Sequence, residues 1–322
     1  MDPLKLRDLG ERAILDYLIP RLSRAGGYLG PGDDGIDYLP RGRIVVTGDM
    51  LVESTDVPAG APLESVGWKA LTASMSDLAA KGARPLLAYV EMGLPPEMDF
   101  EGLEAIWRGI ERARERYSVL VVGGDTNASR ELVLGVFALG EAGRPVPRGG
   151  SRPGDLIGVT GPFGRAAAGL HSVLTGDTDP TWEPLRKSFL WPEARVEAGL
   201  VSSKYATGMI DSSDGLAKSL YDMSRLSGLG YVIEVLPLDD DVKRYAVSHG
   251  LDPERLVLGG GEEYELIITF DPENEGALRE ELQSVGCRLQ VIGRVIDRRG
   301  VWLLRNGELI EVPELGWFHF GA

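Results

Sequence analysis

Three stretches of this sequence repeat one design, an apolar run that stops at small residues and an aspartate. RIVVTGDM (43–50) carries Asp49, SVLVVGGDT (118–126) carries Asp125, and TGMIDSSDG (207–215) carries Asp211 and Asp214. Short apolar runs bounded by turn residues read as buried strands. A chain built this way has to place carboxylates at the ends of its strands. Gathered at one end of a sheet, they repel one another unless divalent cations lie between them. Taken singly, each aspartate has a simpler reading as a solvated Asx turn, and Asp211 and Asp214 also suit the cap of a helix starting near Leu216. It is the recurrence that points to metal chemistry. Asp77 adds to it, because SMSDLAAKG places an acid late in a helix, facing the negative end of the dipole, where a cation would relieve it.

Helical stretches separate the strands. Residues 3–25 and 62–83 read as helices, the second closed by Gly82, and FEGLEAIWRGIERARERY (100–117) as a third. ELVLGVFALGEA (131–142) is a strand with hairpin neighbours, so the fold class is α/β with mixed sheets of the α+β type. GRPVPRGGSRPGD (143–155) concentrates glycine, proline and arginine as a boundary does, which gives two domains, 1–145 and 146–322. In the second, a loop is expected from Trp182 to Pro192, and Cys287 falls in the strand-like CRLQVIGRV.

Composition narrows the chemistry. With 49 acidic and 34 basic residues the net charge is -15, which disfavours nucleic acid and anionic membrane as partners. No apolar run approaches a membrane span and the first residues lack the apolar core of a signal peptide, so a cytoplasmic location is expected. The three histidines, His171, His249 and His319, lie far apart and form no H-E-x-x-H, and Cys287 is the one cysteine. Zinc hydrolysis and a Ser-His-Asp triad are disfavoured, and any metal work falls to oxygen ligands, which suit Mg²⁺, Ca²⁺ or Mn²⁺.

GPGDDG (30–35) matches the letters G-x-G-x-x-G, yet no strand precedes it and no amphipathic helix follows. Its carboxylates would repel a pyrophosphate by roughly 4 kcal/mol per charge pair at 4 Å and a dielectric near 20. Neither a P-loop nor a kinase H-R-D-L motif is present. A polyanionic nucleotide can still enter an acidic cleft when Mg²⁺ bridges carboxylate and phosphate.

GDDG, TGDMLVESTDVP, WKALTASMSDLAAKGARP, VVGGDT, PRGGSRPGD, MIDSSDGL and GGGEEYELIIT occur in the order and spacing of the thiamine-monophosphate kinase family, which the chain resembles over nearly its whole length. That resemblance implies an ATP-binding superfamily fold of two α/β domains. The N-terminal one binds ATP and Mg²⁺ and pairs with its copy in a homodimer to make a shared β-barrel; the C-terminal one completes the active site. Several Mg²⁺ ions are implied, with ATP as co-substrate and thiamine monophosphate as acceptor. By position, Asp34, Thr47, Gly48 (through its backbone), Asp49, Asp77, Asp125, Asp211 and Asp214 match metal ligands, while Asp33 has no clear counterpart. Gly124, Asp125, Arg148 and Ser213 match ATP contacts, and Glu262 and Trp317 match acceptor contacts, the indole being suited to stack on a thiamine ring. Many members have a histidine-aromatic pair where this chain has Asp56 and Val57, and Asp56 is expected to attract the cationic thiazolium.

The resemblance implies direct transfer of the γ-phosphoryl group of ATP to the phosphate of thiamine monophosphate. No general base is expected, since the attacking oxygen already belongs to an ionised phosphate. The alternatives are another ATP-dependent enzyme of the superfamily, similar to aminoimidazole ribonucleotide synthetase, and a non-catalytic protein that binds nucleotide or divalent ions. Selenophosphate synthetases usually carry a reactive cysteine or selenocysteine near the N-terminus and hydrogenase-maturation members a C-terminal cysteine; neither pattern is met here.

Overall fold

A computed structural model describes residues 4–27, 29–31 and 35–318. They fall into two units, one running to Leu78 and resuming from Arg84 to Gly143, the other taking Ala79–Ala83 and the chain from Arg144 onward.

In order, the first unit contains α1 (Leu6–Leu18), β1 (Arg43–Val52), α2 (Glu53–Asp56), α3 (Leu63–Ala80, its last residues counted with the second unit), β2 (Arg84–Leu94), α4 (Phe100–Tyr117), β3 (Leu120–Gly123), β4 (Thr126–Ala128) and β5 (Val133–Ala142). The first helix is shorter than the 3–25 expected, because Pro20 leads into a single 3-10 turn, and Gly10 breaks its regularity at φ 76°. Helix α4 buries Leu103, Ile106, Trp107, Ile110, Ala113 and Tyr117 along one face, and ends at Ser118 in the left-handed conformation. It crosses α3 at closest range where both lack a side chain: a Cβ on Gly67 would lie 2.0 Å from the Ile106 carbonyl oxygen, and one on Gly109 1.9 Å from that of Glu64.

The sheet runs β1-β5-β2-β3, with β4 also on β2. Strand β5 is antiparallel to β1 and β2, while β3 and β4 are parallel to β2, as the helical crossover through α4 requires. Side chains alternate between faces along a strand. On β1 this puts Thr47 and Asp49 on one face and Val46, Gly48 and Met50 on the other. Among the described residues the path stays open at β1 and β3, so one chain forms no closed barrel.

The second unit contains β6 (Leu156–Val159), α5 (Arg165–Leu174), α6 (Glu183–Leu190), α7 (Val196–Ser202), β7 (Ala206–Asp211), α8 (Leu216–Ser227), β8 (Gly230–Ile233), α9 (Asp240–His249), α10 (Pro253–Gly259), β9 (Leu266–Phe270), α11 (Glu275–Ser284), β10 (Gln290–Ile296), β11 (Gly300–Arg305) and β12 (Glu308–Glu311). Its sheet order is β12-β11-β8-β10-β6-β9-β7, antiparallel except between β11 and β8. Ile157, Val159, Ile210, Leu220, Tyr231 and Ile267 belong to its core.

Two local expectations change. The stretch from Trp182 to Pro192 is mostly helix: Pro184 sits in the first turn of α6, where a missing N–H costs nothing, and Leu185 and Phe189 are buried one turn apart. Cys287 precedes β10 and is not part of it; its thiol lies 3.4 Å from the Thr160 carbonyl, and burial pushes it up to about 11, which suits a structural thiol.

Candidate active site

Strand β1 delivers Asp49 and Thr47 to the face where Asp77 projects from the last turn of α3. The Thr47 hydroxyl donates to Asp77 Oδ2, and the Ser74 hydroxyl lies 2.9 Å from Asp49 Oδ2 and 3.0 Å from the Val136 carbonyl. Both carboxylates are half-buried. Burial and the nearby Asp77 charge push Asp49 up to about 6, with the Ser74 hydrogen bond opposing. The groups answering this pair are two neutral hydroxyls, and such a cluster of hard oxygens fits a divalent cation. Ser74 went unnoticed in the sequence; its signal was a serine three residues before Asp77 on the same helix.

The other expected ligands of this unit are placed differently. Asp125 is exposed just beyond β3; its carboxylate accepts the Thr126 N–H at 2.9 Å and its carbonyl the Met92 N–H at 2.8 Å. Gly124 beside it presents bare backbone, because a Cβ there would meet the Val90 carbonyl oxygen at 1.8 Å. Gly48 lies on the sheet face opposite Thr47 and Asp49, against the Phe137 ring. The Asp56 carboxylate accepts the Val52 N–H at 2.7 Å, closing the turn after β1. Asp33 and Asp34 lie outside the described residues. Among the described residues no group of three or more His, Cys, Asp or Glu side chains is arranged to hold a metal.

In the second unit three distant motifs meet at one corner. Asp211 ends β7 and is buried, and the turn 212–215 leads into α8. Neither aspartate caps that helix, since its N-cap is Gly215 without a side-chain hydrogen bond. The Ser213 carbonyl accepts the Glu262 N–H at 2.6 Å, and the Asp214 carbonyl accepts the Trp317 N–H at 3.0 Å. The Asp214 carboxylate pairs with Lys218 one turn later. Arg148 is exposed, next to Pro147, whose carbonyl accepts the Met209 N–H of β7 at 3.1 Å. Thus Asp211, Ser213, Asp214, Glu262 and Trp317 are brought together through their backbones, and the segment bearing Arg148 runs beside the strand that ends in Asp211.

Further features of this unit were not read from the sequence. Glu263 is buried with its carboxylate on the Ala166 N–H at 3.0 Å. Glu265, also buried, is gripped by Arg195, whose Nε donates at 2.9 Å, and by the Thr160 hydroxyl at 2.6 Å. The pairing holds the Arg195 guanidinium well above its ordinary pKa despite burial. His171 and His249 also meet, at 5.8 Å between ring centroids, with the Tyr245 hydroxyl 2.7 Å from His171 Nδ1 and its ring stacked on His249.

Two mixed α/β units, with Asp49 inside a strand and Asp125 and Asp211 at strand ends, define the class, that of the AIR synthase related proteins: the N-terminal domain of that family matches residues 32–142 and its C-terminal domain residues 152–303. Thiamine-monophosphate kinase of Pyrococcus horikoshii is 36% identical over 278 residues, covering 86% of this chain and 86% of that relative. The enzyme of the same name from Aquifex aeolicus is 32% identical over 321 residues, covering 98% of this chain and 100% of the relative. A solved structure, AaThiL complexed with AMPPCP and TMP, matches with a TM-score of 0.80 at 31% identity, over 99% of this chain and 100% of that one. HypE of E. coli, a hydrogenase maturation protein, shares the fold at 18% identity and a TM-score of 0.75, over 94% of this chain and 97% of its own. The chain belongs to the thiamine-monophosphate kinase family.

Proposed function

We propose that this protein transfers the γ-phosphoryl group of ATP to the phosphate of thiamine monophosphate, giving thiamine diphosphate and ADP. The observation that carries this reading is the match along 99% of the chain to the relative solved with AMPPCP and TMP. The acceptor oxygen is ionised near neutral pH, so the chain needs no general base. Its task is to hold two anions in line and offset their charge.

Mg²⁺, when bound, supplies the positive charge that offsets the phosphates. Asp49, Asp77 and Thr47 are the residues best suited to hold it, because two carboxylates meet there with hydroxyls as partners and Asp49 is pushed up to about 6. Asp34, Asp125, Asp211, Asp214 and the Gly48 backbone are assigned to further ion contacts. Gly124, Asp125, Arg148 and Ser213 are assigned to ATP. Glu262 and Trp317 are assigned to the acceptor, the half-exposed Trp317 indole being a side chain of the kind that stacks on a thiamine ring. Asp56 has its carboxylate on the Val52 N–H, so its part in acceptor binding is electrostatic, at a distance.

The first unit, 1–145, is assigned to ATP, Mg²⁺ and dimerisation, and the second, 146–322, to the rest of the chemistry. The outer face of the first sheet supports a homodimer with a shared barrel: Val46, Met50 and Phe137 are 64%, 69% and 48% exposed, and β1 is an open edge. No helix among the described residues is long and apolar enough to cross a membrane, which fits the cytoplasmic location proposed.

The test is ADP release from Mg-ATP with and without thiamine monophosphate, with the product separated by chromatography. Acceptor-dependent ADP together with thiamine diphosphate is expected. Folded protein that binds Mg-ATP but shows no acceptor-dependent turnover would refute the reading.

A further inference from the structure

The segment between α10 and β9 crosses the corner of the second unit in a conformation that side-chain-bearing residues rarely adopt. Glu262 has φ +62° and Tyr264 φ +52°, both left-handed. Hydrogen bonds in two directions hold this backbone. The Glu262 N–H donates to the Ser213 carbonyl at 2.6 Å and the Tyr264 N–H to the Ser212 carbonyl at 2.9 Å, tying the segment to the aspartate turn. Between them, Glu263 reaches the other way, its Oε1 accepting the Ala166 N–H at 3.0 Å in the first turn of α5. A helix start offers free N–H groups and the positive end of the dipole, so a buried carboxyl finds a fixed anchor there.

The turn carrying Ser213 and Asp214 has supports that do not pass through Glu263. The Ser212 N–H donates to the Glu265 carbonyl at 2.9 Å, and the Asp214 carbonyl accepts from Trp317. The backbone of Glu262, by contrast, sits next to the Glu263 anchor in sequence. Loosening that anchor therefore acts on Glu262 directly, and reaches Ser213 through the hydrogen bond its carbonyl accepts from the Glu262 N–H. Burial pushes the Glu263 carboxyl up to about 8, against the pull of the Ala166 N–H, so glutamine is a close isostere of the form present near neutral pH.

We infer that Glu263 is a positioning residue for the acceptor: by tying the strained 262–264 backbone to the N-terminus of α5, it fixes Glu262 and thereby sets the affinity for thiamine monophosphate, leaving that for ATP unchanged. The inference rests on the proposed kinase reaction.

Steady-state kinetics of the full chain, varying each substrate in turn at pH 7, test it. Glu263→Ala is expected to raise the acceptor KM by roughly tenfold while the ATP KM stays within about twofold, and Glu263→Gln to restore the acceptor KM to within about threefold of wild type. A role in folding alone would lower the active fraction, and so kcat, without separating the two KM values. Should Glu263→Ala not fold, Glu263→Asp carries the same readout, because the shorter side chain retracts the carboxylate from Ala166. An unchanged acceptor KM in the folded variant, or equal rises in both KM values, overturns the inference. Wild-type protein with no acceptor-dependent ADP release overturns the kinase reading, and this inference with it.

Discussion

Each unit of this chain presses two carboxyls together, and the two pairs are answered in opposite ways. Asp49 and Asp77 meet on the inner face of the first sheet with the hydroxyls of Ser74 and Thr47 as their partners. Glu263 and Glu265 meet beside β9 with Arg195 on one and a helix start on the other. Burial raises one member of each pair, Asp49 to about 6 and Glu263 to about 8. The second pair carries its own compensation and is part of the architecture. The first has no protein cation bonded to it among the described residues, and it is the pair to which the proposed Mg²⁺ role is assigned.

The strongest way to break this contrast is to remove a carboxylate from the first pair. Asp49→Asn or Asp77→Asn is expected to cost roughly a thousandfold in kcat, about 4 kcal/mol of transition-state stabilisation. The metal-free variant should melt no lower than wild type, since a like-charge repulsion is gone. Near-normal turnover at saturating Mg²⁺ in both variants would end the comparison. The reverse outcome is expected in the second unit, where Arg195→Met leaves Glu265 buried without its cation and should cost about 3 kcal/mol of stability. Thermal unfolding measures that loss, and calorimetric titration should find Mg²⁺ affinity unchanged in the folded fraction. A selective loss of Mg²⁺ affinity would mean that the two pairs are not separate in function.

The contrast was half legible in the sequence. Asp125 could be read because a strand end next to glycine is a local signal, and Asp77 because its place late in a helix is electrostatically wrong without a partner; Asp49 was expected to end its strand but lies inside β1, whose pairing with β5 runs on to Val52. The Arg195–Glu265 pair joins residues 70 positions apart, and no local period announces such a contact. His171 and His249 met for the same nonlocal reason. Helix α6 lies where a loop was expected; Pro184 does not break it because it stands in the first turn, where a missing N–H costs nothing. The bland reading of Asp211 and Asp214 as caps failed because Gly215 takes the cap position. The open sheet edge at β1 could not be read from the strand itself, since an edge is a property of its neighbours.

The smallest effect is the sharpest probe of the first pair, because it leaves both carboxylates in place. Ser74→Ala removes the hydrogen bond that opposes the rise of Asp49, worth about 1 kcal/mol. Since the folded-state pKa of Asp49 is already raised, protonation stabilises the metal-free protein at low pH, and that stability is lost as pH rises through about 6. In the variant the loss moves to higher pH, so protons compete with Mg²⁺ further into the neutral range. Calorimetric titration should therefore show Mg²⁺ bound about twofold more weakly than in wild type at pH 6.5, with the two proteins converging near pH 8.5, where Asp49 is ionised in both. A deficit of equal size at both pH values would show that Ser74 supports the site by packing, and that the charge of Asp49 is not what the cation meets.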